Sequence, residues 1–229
     1  MIFGYKFDTV YLLKSEKHII HYDKVKVVSM NALDSQDGFF ALARPVGGVH
    51  AMILAAVPIK DEWKFLTYSL GSLNIEDMIF HRASDDLIMF AAYDSEAYMI
   101  KVSLLSITKD GQLSLKQEMM YGFEENLIDF DLVKIKYTDK VDFFFLIFCE
   151  EQTRNANFML FKLVDGSFDR VGYQQGSMIP GIKAVHDHVD FSCDNFNSQQ
   201  NVINCFMTSE NLFNYAVSYT LDLQHPQTA

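Results

Sequence analysis

An all-β fold assembled from repeated four-stranded units is predicted by three features of this 229-residue sequence. Apolar, strand-like runs recur behind polar turns with a period of about 50 residues. Aromatic residues, which favour extended backbone, are abundant, with 20 Phe and 11 Tyr. No long segment sustains the 3.6-residue apolar period of an amphipathic helix.

The repeat is visible in four stretches: "SQDGFFALARPV" from Ser35, "SDDLIMFAAYDSE" from Ser84, "TDKVDFFFLIFCEE" from Thr138 and "SQQNVINCFMTSE" from Ser198. Each is a polar turn followed by an apolar strand. A second strand follows each one: His50–Ile59, Ala97–Ile107, Asn157–Val164 and Phe213–Leu223. Ahead of each turn lies one more strand-like piece: "KVKVVSMNAL", "IEDMIFHRA", "LIDFDLVKIKY" and "IKAVHDHVDF".

The first three units continue through "KDEW" at Lys60, "KDGQ" at Lys109 and "VDGS" at Val164 into a third strand. Asp-Gly between strands is a hairpin signal, because both central residues of that turn take positive φ. The third strands end alike, in "YSLGS", "MMYGF" and "YQQGS".

The units therefore cover residues 25–74, 75–123, 124–177 and 178–224 of a single domain spanning 1–229. Four strands per unit at this period is the signature of a β-propeller, here of about four to five blades or one arc of a larger ring. The last unit stops after its third strand. Strands within residues 3–26 are expected to complete that blade, because closure removes an exposed sheet edge.

Composition excludes several functions. Nineteen Lys and Arg against thirty Asp and Glu give a net charge of −11, and no basic patch interrupts it, so nucleic acid is not an expected partner. The longest apolar runs, Leu87–Tyr93 and Phe143–Cys149, fall far short of the roughly 20 residues that cross a bilayer. No membrane partner is expected. Three cysteines at long spacings form neither a disulfide framework nor a metal-binding pair, and reduced thiols suit a cytoplasmic or nuclear protein.

"HDHVDF", from His186 to Phe191, is the one stretch that invites a metal reading. Alternate residues of a strand share a face, which places His186, His188 and Asp190 together. Two imidazoles and a carboxylate suit Zn²⁺ or Fe²⁺. The pattern resembles the opening of the metallo-β-lactamase HxHxDH motif, but Phe191 stands where that motif has its final histidine. The equivalent strands "MIFHRA" and "DFDLVKIK" share no ligand set, so the strand-face reading is preferred and no cofactor is expected.

Other candidates are weaker. Cys149 sits within the most apolar run and reads as a small buried hydrophobe. Glu124 and Glu125 in "FEEN", with Glu150 and Glu151, read as solvated loop ends that could touch a partner. Trp63, the single tryptophan, follows two acidic residues at a hairpin, either as a structural cap or as an exposed anchor of the kind interfaces favour.

Strand spacing and turn placement from Val25 to Leu223 resemble the tryptophan–aspartate (WD) repeat propellers. The closing Trp-Asp and the Gly-His pair of those repeats are missing. The order of the apolar strands is also similar to the C-terminal propeller part of the fourth subunit of the anaphase-promoting complex. This resemblance implies a scaffold in a large assembly. The expected function is thus a non-enzymatic protein-interaction subunit that binds other protein subunits. The alternative is a ligand- or metal-binding propeller enzyme using a central channel.

Overall fold

A computed structural model describes residues 3–6, 9–12, 25–32, 39–45, 51–59, 62–71, 75–108, 112–176, 189–193, 201–209 and 214–223. Every regular element among them is a strand. In chain order these are β1 (Phe3–Lys6), β2 (Thr9–Leu12), β3 (Val25–Ala32), β4 (Phe39–Pro45), β5 (Ala51–Ile59) and β6 (Glu62–Gly71). Then come β7 (Ile75–Ser84), β8 (Leu87–Asp94), β9 (Met99–Ile107) and β10 (Leu113–Gly122). The next four are β11 (Leu127–Lys136), β12 (Val141–Glu150), β13 (Ala156–Val164) and β14 (Ser167–Gln174). The last are β15 (Val189–Cys193), β16 (Val202–Ser209) and β17 (Asn214–Thr220).

Neighbouring strands in the chain are neighbours in the sheets, β1–β6, β7–β10, β11–β14 and β15–β17. Antiparallel partners need only a tight turn between them, so a chain rich in turn signals folds as successive meanders. The expected all-β class is the fold observed, and two of the sheets among the described residues have the four antiparallel strands of a propeller blade. Strands β1 and β2 extend the first sheet, where Thr9 and Val10 of β2 pair with Lys26 and Val25 of β3. An edge strand pairs most readily with the sheet next to it in sequence, because the loop to be closed is short.

The chain divides into two compact units, Met1–Met120 and Tyr121–Ala229. In the first, the core gathers Leu42, Ile53, Leu66, Met78, Phe80, Ile88, Phe90 and Leu105. In the second it gathers Val133, Phe143, Phe145, Ile147, Phe158, Leu160, Ile203 and Leu221. The two unbroken apolar runs form β8 and β12, which are buried on both faces along most of their length. A strand covered on both sides has no solvent face to alternate with, which is why these runs lack a period of two. Strands β10 and β14 are largely exposed, each with one buried residue near its start.

The "VDGS" turn has the conformation its sequence demands. Asp165 and Gly166 take φ of 50° and 73°, and Val164 pairs directly with Ser167 across the two-residue loop. Lys109–Gly111 of "KDGQ" and Lys60–Asp61 of "KDEW" lie outside the described residues.

Candidate functional site

The residues singled out from sequence do not converge. His186 and His188 lie outside the described residues; Asp190 lies on β15, opposite Thr208. Among the described residues no group of three His, Cys, Asp or Glu could hold a metal ion. Trp63 lies on β6 opposite Pro58. Glu124 is exposed, whereas Glu125 is used internally: its carboxylate accepts hydrogen bonds from the backbone N–H groups of Gln152 (3.0 Å) and Thr153 (3.2 Å).

A better-built site lies at one end of the β11–β14 sheet. The register sets Phe148 opposite Asn157, Met159 opposite Tyr173 and Phe161 opposite Arg170. Directly opposed residues share a face, and so do residues two apart, so Phe148, Glu150, Asn157, Tyr173 and Arg170 belong to one side. Aromatic rings cover its inner part. Phe123 packs on Phe148 with centroids 5.0 Å apart, and Tyr121 packs on Phe161 at 5.8 Å. The Arg170 guanidinium lies 5.4 Å from the Tyr121 ring centre, a cation–π contact.

The polar end of that face is tied together. Glu150 Oε2 accepts from the Thr153 hydroxyl (2.9 Å) and from Asn157 Nδ2 (3.1 Å). Asn157, fully buried, accepts from the Gly176 N–H at 3.0 Å through its side-chain oxygen. Arg154 takes a positive φ of 55° in the turn between β12 and β13, and its N–H donates to the Glu150 carbonyl at 2.9 Å.

Tyr173 presents the exposed surface here, at 37% accessibility. Partial burial and the nearby Glu150 charge raise its pKa, while Arg170 pulls it the other way. The phenol therefore keeps its proton at neutral pH and acts as a donor. Its pKa is too high for efficient proton transfer there.

Cys149 lies on the opposite face, fully buried among Phe145, Phe158 and Ile203. Burial first, then the charges of Asp129, Glu150 and Glu125, push its thiol up to about 12 against a weaker opposing pull from Arg154. Nucleophilic chemistry needs the thiolate, so Cys149 is inert packing, as its apolar run suggests. The other two cysteines correct the expectation of reduced thiols. Cys193 of β15 and Cys205 of β16 stand directly opposite each other and form a disulfide. Their spacing of 12 residues gives no hint of this, because only strand pairing brings them together.

Sequence reading placed Glu150 among loop ends and passed over Asn157, Arg170 and Tyr173. One signal was available: Asn157 is a polar residue opening the otherwise apolar run "NFMLFKLV". A buried amide has to find partners, so a polar position in a buried strand marks a network.

No protein family model and no curated protein matches the chain. Five solved chains do, among them a Bacteroides fragilis protein assigned as a 6-phosphogluconolactonase, at 12% identity and a TM-score of 0.41. The match covers 91% of this chain but 58% of that one, so the chain spans well under two thirds of its length. The likeness to WD-repeat propellers therefore stops at the four-stranded antiparallel sheet. The name of the matched structure is an enzyme's, which stands against the expectations of a non-enzymatic scaffold and of no enzyme activity.

Proposed function

We propose that the chain binds a small, neutral, polyhydroxylated ligand on the face formed by Glu150, Arg170 and Tyr173, with the buried Asn157 holding Glu150 in place. The observation that carries this reading is the exposed ring of Tyr173 on the sheet face it shares with Glu150 and Arg170. A ring face, a carboxylate acceptor and a guanidinium donor side by side suit a ligand with an apolar C–H face and several hydroxyls. The net charge of −11 disfavours phosphorylated ligands at a site that already holds Glu150 and Glu125.

Titration calorimetry with neutral monosaccharides and disaccharides, set beside their phosphate esters, tests the reading. A neutral sugar gives a saturable heat that Tyr173→Ala weakens by about tenfold, the usual effect of losing one good contact. Thermal melts of the variant control for misfolding. Heat from the phosphate esters alone, or from none of the sugars, would overturn the assignment.

A further inference from the structure

All three cysteines of the chain meet in one hydrophobic cluster. Cys149 and Cys205 are fully buried members of it, and Cys193 packs against it from a partly exposed position. We propose that the Cys193–Cys205 disulfide is a reducible clasp on β15, opened from solvent by a dithiol reductant that attacks at Cys193.

The clasp has something to hold. β15 is five residues long and pairs with β16 from Val189–Ser209 to Cys193–Cys205, so the disulfide closes the last rung. β15 also touches β11 of the neighbouring sheet, where Asp131 Oδ2 accepts a hydrogen bond from the Cys193 N–H at 3.0 Å. Joining the two strands at that rung fixes their register and keeps Cys193 N–H facing Asp131. A short strand without the link has few ladder bonds to resist local opening.

The chemistry also selects the route. Exchange requires a thiolate, and the one free thiol of the chain, Cys149, is held protonated by burial and by three carboxylates. The internal shuffle is thereby suppressed. Cys205 is sealed in the core, whereas Cys193 is partly exposed, which makes Cys193 the end open to attack. A reductant thiolate bonds to the Cys193 sulfur, the S–S bond breaks, and Cys205 leaves as a thiolate that takes up a proton. The second thiol of the reductant then attacks its own bound sulfur and releases Cys193. Two electrons pass to the protein, and the dithiol leaves as a cyclic disulfide.

Peptide mapping of the full chain without reductant, followed by amide hydrogen exchange with and without dithiothreitol, tests the proposal. A peptide linked through Cys193 and Cys205 is expected, with Cys149 free. Reduction is expected to lower protection across 189–193 by a factor on the order of ten to a hundred, leaving β12 and β13 unchanged. The double variant Cys193→Ser, Cys205→Ser should match the reduced protein, and Cys149→Ala should retain the full response. Absence of the linked peptide, equal exchange in both states, or loss of the response in Cys149→Ala would each overturn it.

Discussion

Asn157 joins two strand ends through one buried side chain: its oxygen accepts from the Gly176 N–H at 3.0 Å while its Nδ2 donates to Glu150 at 3.1 Å. Replacing it by leucine takes a partner from the part-buried Gly176 N–H and from the Glu150 carboxylate, which keeps only the Thr153 hydroxyl on that oxygen. The expected loss is about 2–3 kcal/mol in urea unfolding, since stranding buried polar groups costs more than a hydrogen bond returns. A loss under about 0.5 kcal/mol would show that water replaces the amide.

Gly71 and Gly122, which end β6 and β10, and Gly176, just past β14, do different jobs, and alanine separates them. A Cβ on Gly176 would collide with the backbone carbonyl of Ala156, which cannot rotate away. Gly176→Ala should therefore cost more than about 2 kcal/mol, as overpacking against backbone does. At Gly71, with φ of 75° and open space around it, the cost is conformational and about 1 kcal/mol. Gly122→Ala meets nothing within 4 Å and should fall within about 0.5 kcal/mol of the parent. Thermal melts of the three variants give the order directly.

Phe145 is fully buried, with its ring centre 5.0 Å from that of Phe158 and 5.3 Å from that of Tyr219. Removing it takes one ring from a cluster of three in mutual contact. Phe145→Ala should cost about 3–5 kcal/mol, and Phe145→Leu, which fills most of the space, under about 1.5. Phe206, 47% exposed, provides the contrast: its alanine variant should change stability by less than about 0.5 kcal/mol.

Alkaline pH should destabilise the second unit. The Cys149 thiol rises from an ordinary 9.0 to about 12 in the folded chain, so above pH 9 the unfolded chain has given up a proton that the folded chain still holds. Stability is then fully present below pH 9 and falls as pH climbs toward 12, by at most about 1.4 kcal/mol per pH unit for this group. Tyr219, raised from 10.0 to about 12 by burial and then by Cys149, adds to the fall only above pH 10. Urea titrations at pH 8, 9 and 10 check this: Cys149→Ala should flatten the decline between 9 and 10.

Much of this architecture was legible in advance, because it follows from local rules. Polar turns alternating with apolar runs place the strands, and Asp165-Gly166 dictates its own two-residue turn. The burial of Cys149 and of the Phe143–Phe148 run follows from an apolar stretch with no alternation. The candidate site was not legible: Glu150, Asn157, Arg170 and Tyr173 lie on three different strands, and their shared face depends on register.

The sequence alone determined that the chain is all-β, that residues 75–123 and 124–177 form units of four strands, and that Cys149 is buried. Backbone propensity, turn chemistry and hydrophobic pattern act over a few residues, so they can be read along the chain. Only the tertiary structure decided that β1 and β2 join the first sheet, that Cys193 meets Cys205, and that Asn157 bridges Glu150 and Gly176. Those outcomes depend on which strand lies beside which, and on the register between them. A shift of one residue would send every one of these side chains to the other face.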